Sequence, residues 1–117
     1  GRVFWFENQN QATSFLYHPI SANTTNQDLH TLAVADFDGD GDPDILSGGG
    51  PLSQETRKLF LWENITGEGF QWKKHVILEG KRIHEAVAAD VDKDGDIDIC
   101  NKPWREGLHF YLENKSK

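Results

Sequence analysis

The 117-residue chain contains a single cysteine, no methionine and no long apolar segment. Because Cys100 is alone, neither an internal disulfide nor a cysteine-based zinc site can form, and cysteine content does not identify a redox compartment. We expect Cys100, which lies in an apolar strand pattern, to be a small buried side chain. No run approaches the roughly 18 apolar residues of a membrane span, and no signal-like segment precedes the strand-like residues 2–8. We therefore expect a processed or excised piece of a longer protein.

The common catalytic and nucleotide-binding motifs are also missing. The sequence contains no G-x-S-x-G, no Walker phosphate loop and no H-E-x-x-H. Nothing in these patterns therefore indicates a nucleotide or a familiar hydrolytic centre.

Basic residues are scarce, with 12 against 19 acids and a formal net charge of −7. Ten of the acids and one base lie in residues 36–44 and 90–98, so these two segments carry −9 and the rest of the chain +2. A divalent cation in each segment would bring the total to about −3. The acidity therefore indicates bound metal rather than a cationic partner, and it argues against nucleic acid.

The two acidic segments belong to an internal repeat. "LHTLAVADFDGDGDPDIL" (29–46) aligns without gaps with "IHEAVAADVDKDGDIDIC" (83–100), at an offset of 54 that places His30 on His84. A second element recurs as "VFWFEN" (3–8), "LFLWEN" (59–64) and "HFYLEN" (109–114). The repeat period is therefore about 50 to 56 residues.

Each period contains four short apolar segments separated by turn residues, which predicts four antiparallel strands. The segment before each acidic loop is rich in alanine, as expected for the innermost strand of a β-propeller blade, buried on both faces. We predict an all-β, single partial propeller domain over residues 1–117, with nine strands in about two and a quarter blades. Its parts are a partial blade at 1–28, a full blade at 29–82 and an incomplete blade at 83–117. Such a piece leaves open edges, so we expect either the remaining blades of a larger propeller or self-association.

The acidic loops have the spacing of a calcium site. Counted from the first aspartate, carboxylates occupy positions 1, 3, 5, 7 and 9, with glycine at position 6, so the side chains can converge on one point. The predicted metal ligands are Asp36, Asp38, Asp40, Asp42, Asp44, Asp90, Asp92, Asp94, Asp96 and Asp98, of which Asp42 and Asp96, at position 7, are the weaker candidates. Two Ca²⁺ ions fit this oxygen-rich set better than Mg²⁺. The alternative is a solvated acidic turn without metal.

Helical calcium loops are excluded by position 12. EF-hand, dockerin-type and thrombospondin-type loops need an acid there, whereas this chain has Ser47 and Asn101. The flanking residues also predict strands rather than helices.

"VADFDGDGDPDIL" and "AADVDKDGDIDIC", each followed by a "LFLWEN" or "HFYLEN" strand, resemble the FG-GAP/VCBS repeats of integrin α-subunits, bacterial secreted proteins, and propeller lectins and polysaccharide lyases. The resemblance implies a seven-bladed propeller, calcium between the first two strands of each blade, and an extracellular or periplasmic location. The ligands that it implies are Asp36, Asp38, Asp40, Asp44, Asp90, Asp92, Asp94 and Asp98.

A second group of polar residues is predicted near the mouth of the propeller channel. His30 and His84 lie six residues before the first aspartate of each loop, and the candidate ligand-binding set is His30, His84, Trp104 and Arg105. His84, Lys81 and Arg82 are the candidate catalytic residues. The segment "HEAVAADVDKDGDIDI" followed by "NKPW" resembles propellers of carbohydrate-active proteins such as aldos-2-ulose dehydratases. The alternative is that a repeated histidine bonds the backbone of a neighbouring blade.

The favoured function is a calcium-stabilised module that binds carbohydrate or an extracellular protein ligand. Two alternatives remain: the propeller part of a sugar lyase or dehydratase, and an integrin-like adhesion surface. Enzymatic activity stays open at this point, with binding favoured for this piece alone.

Overall fold

A computed structural model describes residues 1–20, 27–81 and 83–116. In these residues the chain forms strands and no helix, and it therefore has no helical segment capable of crossing a membrane. The prediction of an all-β, antiparallel chain is confirmed. The strands are β1 (Phe4–Gln9), β2 (Ser14–Pro19), β3 (Leu29–Ala35), β4 (Asp44–Gly49), β5 (Lys58–Asn64), β6 (Trp72–Glu79), β7 (Glu85–Ala89), β8 (Asp98–Lys102) and β9 (Phe110–Leu112).

The strands form three antiparallel sheets in chain order. The first sheet is the β1–β2 hairpin, the second has the order β3-β4-β5-β6, and the third has the order β7-β8-β9. By the repeat, β1 and β9 are the counterparts of β5. The first sheet therefore has counterparts of β5 and β6 only, and the third sheet has counterparts of β3, β4 and β5.

Two apolar cores lie between the sheets. Because side chains alternate along a strand, Leu46 of β4 packs between the second and third sheets with Leu59 and Ile99, whereas Ile45 packs toward the first sheet with Trp62. Leu46 and Leu59 have no exposed surface. A leucine buried to this extent stabilises the fold by about 1.5–3 kcal/mol. The second sheet is thus held from both sides, and every residue of β4 is buried.

Tryptophan side chains join the first two sheets. The indoles of Trp5 and Trp72 both donate to the carbonyl of Gly69, at 2.9 and 2.7 Å, so one turn anchors β1 and β6 together. Trp62 is buried and lies 3.4 Å from the Ser47 hydroxyl. Trp62 thus belongs to the core between the first two sheets, whereas Trp5 and Trp72 are half-buried.

Two expectations about burial are wrong. Cys100 is exposed, because its neighbours Ile99 and Asn101 occupy the inward face of β8 and no further sheet covers the outward face within the described residues. The alanine-rich strands are covered on one face only, since Leu32 and Val87 are 68% and 63% exposed. The sequence pattern marks both faces of these strands as apolar, but it does not reveal which face meets a neighbour.

Candidate metal centres

The two acidic loops occupy equivalent places in the second and third sheets. Residues 36–43 connect β3 to β4, and residues 90–97 connect β7 to β8. The glycine at position 6 of each loop has a φ that is unfavourable for other residues, 96° at Gly41 and 97° at Gly95. This turn lets carboxylates from both arms of the loop approach one another.

In the first loop, aspartate side chains bind the loop's own backbone. Asp36 Oδ1 accepts the amide of Gly39 at 2.8 Å, and its Oδ2 accepts that of Gly41 at 3.0 Å. Asp40 Oδ1 accepts the amide of Asp42 at 2.9 Å, which fixes the next part of the turn. These hydrogen bonds hold the carboxylates in position in the absence of a cation.

The second loop repeats this pattern at an offset of 54. Asp90 Oδ2 accepts the amide of Gly95 at 3.2 Å, and Asp94 Oδ1 accepts that of Asp96 at 2.9 Å. Lys93 occupies the position of Gly39 in the first loop, and its φ of 66° is close to the 79° of that glycine. The shared backbone conformation thus persists where the sequences of the two loops differ.

The position-9 aspartates tie each loop to the third strand of its sheet. Asp44 is 1% exposed, and its carboxylate accepts the amides of Phe37 at 3.0 Å and Asn64 at 2.9 Å. Asp98 is equally buried and accepts the amides of Val91 and Asn114, both at 2.9 Å. These two aspartates therefore have a structural role that their spacing did not predict.

The asparagines that close the "EN" strands complete this connection. Asn64 Nδ2 lies 3.4 Å from the carbonyl of Pro43, and Asn114 Nδ2 donates to Ile97 O at 3.1 Å and to Phe37 O at 2.8 Å. Neither asparagine is among the site residues predicted from the sequence. Their recurrence beside a glutamate in all three copies was the available signal.

The structure brings three carboxylates together in each loop. One ligand oxygen from each of Asp36, Asp38 and Asp40 lies within 4.8 Å of the others, and the same holds for Asp90, Asp92 and Asp98. The third carboxylate therefore comes from position 5 in the first loop and from position 9 in the second. The four remaining predicted ligands lie outside these groups. They are Asp42, Asp44, Asp94 and Asp96.

Burial and mutual repulsion act on the clustered carboxylates. Desolvation, followed by the negative charges of Asp40 and Glu63, raises the pKa of Asp38. Desolvation and the charge of Asp94 likewise raise the pKa of Asp92. Both side chains therefore hold their negative charge less readily than an ordinary aspartate.

The two position-9 carboxyls differ in pKa. Burial raises the pKa of Asp44 despite its two backbone hydrogen bonds. In the third sheet, the amides of Asn114 and Val91 outweigh desolvation and lower the pKa of Asp98, which also accepts a hydrogen bond from Tyr111. Leu61 occupies the equivalent place in the second sheet, so Asp44 has no such hydroxyl partner.

The predicted ligand-binding residues lie together at the start of the inner strands. His30 and His84 stack with ring centres 4.0 Å apart, and His84 contacts Trp104 at 4.5 Å. Arg105 follows, with its guanidinium carbon 5.7 Å from the centre of the Trp104 ring. The four residues thus form one row across the boundary between the second and third sheets.

Backbone bonds at the same boundary agree with the alternative, structural role of the repeated histidine. His30 Nδ1 lies 2.9 Å from the carbonyl oxygen of His84, and the hydroxyl of Thr31 accepts the amide of Ala86 at 2.7 Å. Lys81 is exposed, and Arg82 lies outside the described residues. The candidate catalytic group is therefore represented here by His84, whose side chain is 14% exposed, and by Lys81.

Comparison with known proteins identifies one related family. The model of an FG-GAP-like repeat matches residues 1–47, which include the first acidic loop, β3 before it and the first four residues of β4 after it. No curated protein and no solved structure matches the chain. Residues 1–47 are therefore similar to an FG-GAP-like repeat.

Proposed function

We propose that this chain is a calcium-binding repeat module, in which the three sheets are blades, or parts of blades, of a β-propeller. The observation that supports it most is the pair of equivalent loops, each bringing oxygens of three carboxylates within 4.8 Å of one another. The FG-GAP-like repeat over residues 1–47 supports the same assignment for the first loop. An extracellular or periplasmic location, where calcium is abundant, belongs to this proposal.

The donor chemistry of both loops fits calcium. Carboxylate oxygens are hard ligands, and the loop backbone already holds them in place. Asp36, Asp38 and Asp40 would hold one ion, and Asp90, Asp92 and Asp98 the other. Each ion would neutralise carboxylates that otherwise repel one another, so its role is structural.

Calorimetric titration of the EDTA-stripped 117-residue chain with calcium tests this proposal. We expect two ions per chain, and we expect Asp38→Asn and Asp92→Asn each to weaken one binding event at least about tenfold, because each removes a charged ligand. Both side chains are exposed, so neither substitution disturbs the core. Glu68→Gln, an exposed acid outside the loops, is the matched control. If Asp38→Asn and Asp92→Asn bound calcium with the affinity and stoichiometry of the native chain, the assignment of these ligands would be contradicted.

A second proposal concerns the row formed by His30, His84, Trp104 and Arg105. Trp104 is 38% exposed and carries an apolar ring beside a cation, a combination that suits a sugar ring with polar edges. We propose carbohydrate binding there. The proposal assigns contact and not catalysis, because His84 is stacked between two rings rather than hydrogen-bonded to a reactive group.

A glycan array probed with the labelled chain tests the carbohydrate proposal. We expect binding that Trp104→Ala reduces at least about fivefold through loss of ring stacking. Ile65→Ala, an exposed apolar residue after β5 at the opposite end of the sheet, is expected to leave binding unchanged. Turnover of a bound sugar would favour the lyase or dehydratase alternative. Capture of a protein partner without sugar binding would favour the adhesion alternative and would contradict carbohydrate binding by this row.

A further inference from the structure

The loop between β8 and β9 carries two residues that the internal repeat does not require. At the offset of 54, Trp104 and Arg105 correspond to Gly50 and Pro51 of the second sheet. A Cβ on Gly50 would lie 2.6 Å from the Cβ of His30, so the second sheet leaves no room for a side chain at this place. The indole and the guanidinium are therefore specific to the third sheet and are not part of the structure that the two sheets share.

The backbone at Arg105 has an unusual conformation. Its φ is 55°, in the left-handed region that residues with a side chain rarely adopt. Within residues 1–20, 27–81 and 83–116, the guanidinium contacts the Trp104 ring and forms no ion pair. Unfavourable backbone conformations of this kind are concentrated at binding and active sites. The loop thus holds an exposed cation beside the indole without a carboxylate to neutralise it.

Other cations at this end of the sheets are paired. Lys102 Nζ lies 3.3 Å from Glu85 Oε2, and Lys58 Nζ lies 3.5 Å from Glu79 Oε1. Arg105 differs because contact with an aromatic ring orients a guanidinium without neutralising its charge. The planar fork of N–H donors matches the two oxygens of a carboxylate. Arg105 is therefore suited to receive a carboxylate from a ligand.

His30 adds a hydrogen-bond acceptor at the other end of the row. Its Nδ1 lies 2.9 Å from the carbonyl oxygen of His84. Because a carbonyl oxygen only accepts, Nδ1 carries the hydrogen, and Nε2 of the neutral ring keeps its lone pair. His30 is exposed, so a ligand hydroxyl can donate to Nε2. The row therefore offers an acceptor, aromatic rings and a cation in that order.

We propose that this row binds an acidic saccharide, in which the carboxylate of a uronate residue pairs with the Arg105 guanidinium. The sugar ring lies against Trp104, and a hydroxyl of the saccharide donates to His30. The inference rests on the carbohydrate binding proposed above and adds the charge of the ligand. A neutral sugar would leave the guanidinium without a counter-charge, whereas a uronate supplies one on the same ring that contacts the indole.

An α-1,4-linked trigalacturonate and its fully methyl-esterified form are the probes, because they differ in charge and share one sugar backbone. Each is titrated calorimetrically into the full chain in calcium. The free acid is expected to bind at least about tenfold more tightly than the ester, because charge-assisted hydrogen bonds are roughly twice as strong as those between neutral groups. Added salt is expected to weaken binding of the acid and to leave that of the ester unchanged.

Substitutions of Arg105 locate the carboxylate. Arg105→Gln is expected to reduce the affinity for the acid to that for the ester, while the affinity for the ester stays as in the native chain. Arg105→Lys is expected to retain part of the preference, because an ammonium keeps the charge but lacks the planar fork. Lys115→Gln is the matched control, since it removes one positive charge from an exposed residue at the opposite end of the sheet and is expected to change neither affinity.

Three results would overturn the proposal. The first is equal affinity for the acid and the ester, with both lost in Trp104→Ala, which would leave carbohydrate binding standing without a charge requirement. The second is binding of the acid that Arg105→Gln retains and Asp38→Asn/Asp92→Asn abolishes, which would mean that calcium in the acidic loops holds the carboxylates. The third is no binding of either saccharide, which together with a negative glycan array would contradict the carbohydrate proposal as well.

Discussion

Removal of calcium is expected to lower the free energy of unfolding by about 5 kcal/mol at a calcium concentration one hundredfold above Kd. Each occupied site stabilises the folded state by about 2.7 kcal/mol under that condition, because the unfolded chain does not hold the carboxylates together. For a chain of this size the melting temperature is expected to fall by more than about 10 °C. Urea melts and calorimetry in excess calcium and in EDTA measure both quantities.

The doubly substituted chain Asp38→Asn/Asp92→Asn is the control for this experiment. Its melting temperature is expected to differ between calcium and EDTA by about half as much as that of the native chain or less, because a site weakened tenfold still stabilises the folded state by about 1.4 kcal/mol at the same calcium concentration. A native chain with superimposable melts in the two buffers would refute a structural role for calcium. If EDTA lowered the melting temperature of the native chain and of the double variant equally, any bound ion would lie outside these two carboxylate clusters.

Asp44→Ala is expected to destabilise the chain by about 3 kcal/mol even in EDTA, where no calcium is bound. The substitution leaves the buried amides of Phe37 and Asn64 without their acceptor, and each unsatisfied group costs about 1–3 kcal/mol. Burial raises the pKa of Asp44, which means that burying its charge opposes part of the stabilisation from the two hydrogen bonds. The expected loss of stability is therefore smaller than the largest sum of the two costs.

Chemical denaturation in EDTA measures the effect of Asp44→Ala, and the chain supplies two comparisons. Asp98→Ala removes the equivalent pair of bonds and is expected to cost at least as much, because the pKa of Asp98 is lowered rather than raised. Asp38→Ala removes an exposed carboxylate and is expected to cost about 0.5 kcal/mol or less. If Asp44→Ala cost no more than Asp38→Ala, the connection between loop and strand would contribute nothing to stability.

The strand positions could be predicted from the sequence because the repeat presents the same pattern more than once. Each apolar segment such as 59–64 lies between turn residues, and the offset of 54 fixes the equivalence of the two loops. The acidic loops themselves were equally predictable, since the spacing of aspartates along a turn is a local property. These features depend on near neighbours in the chain.

The burial of individual side chains and the separate roles of the loop aspartates could not be predicted, because they depend on contacts between segments that are distant in the chain. Cys100 and Leu46 occupy the same position of the repeat, yet only Leu46 meets a neighbouring sheet, so the sequence could not separate their burial. Asp44 looks like any other loop aspartate until β5 brings the amide of Asn64 to it. Which loop carboxylate also binds the backbone of a neighbouring strand is therefore a tertiary property.

Asn114 gives the two loops a common mechanical support. Its side-chain amide donates to Phe37 in the first loop and to Ile97 in the second, and its own amide is held by Asp98. An adjustment of either loop must be accommodated by this one side chain. A displacement of Phe37 or of Ile97 therefore changes a hydrogen bond of the same side chain, so the two acidic turns share one point of contact.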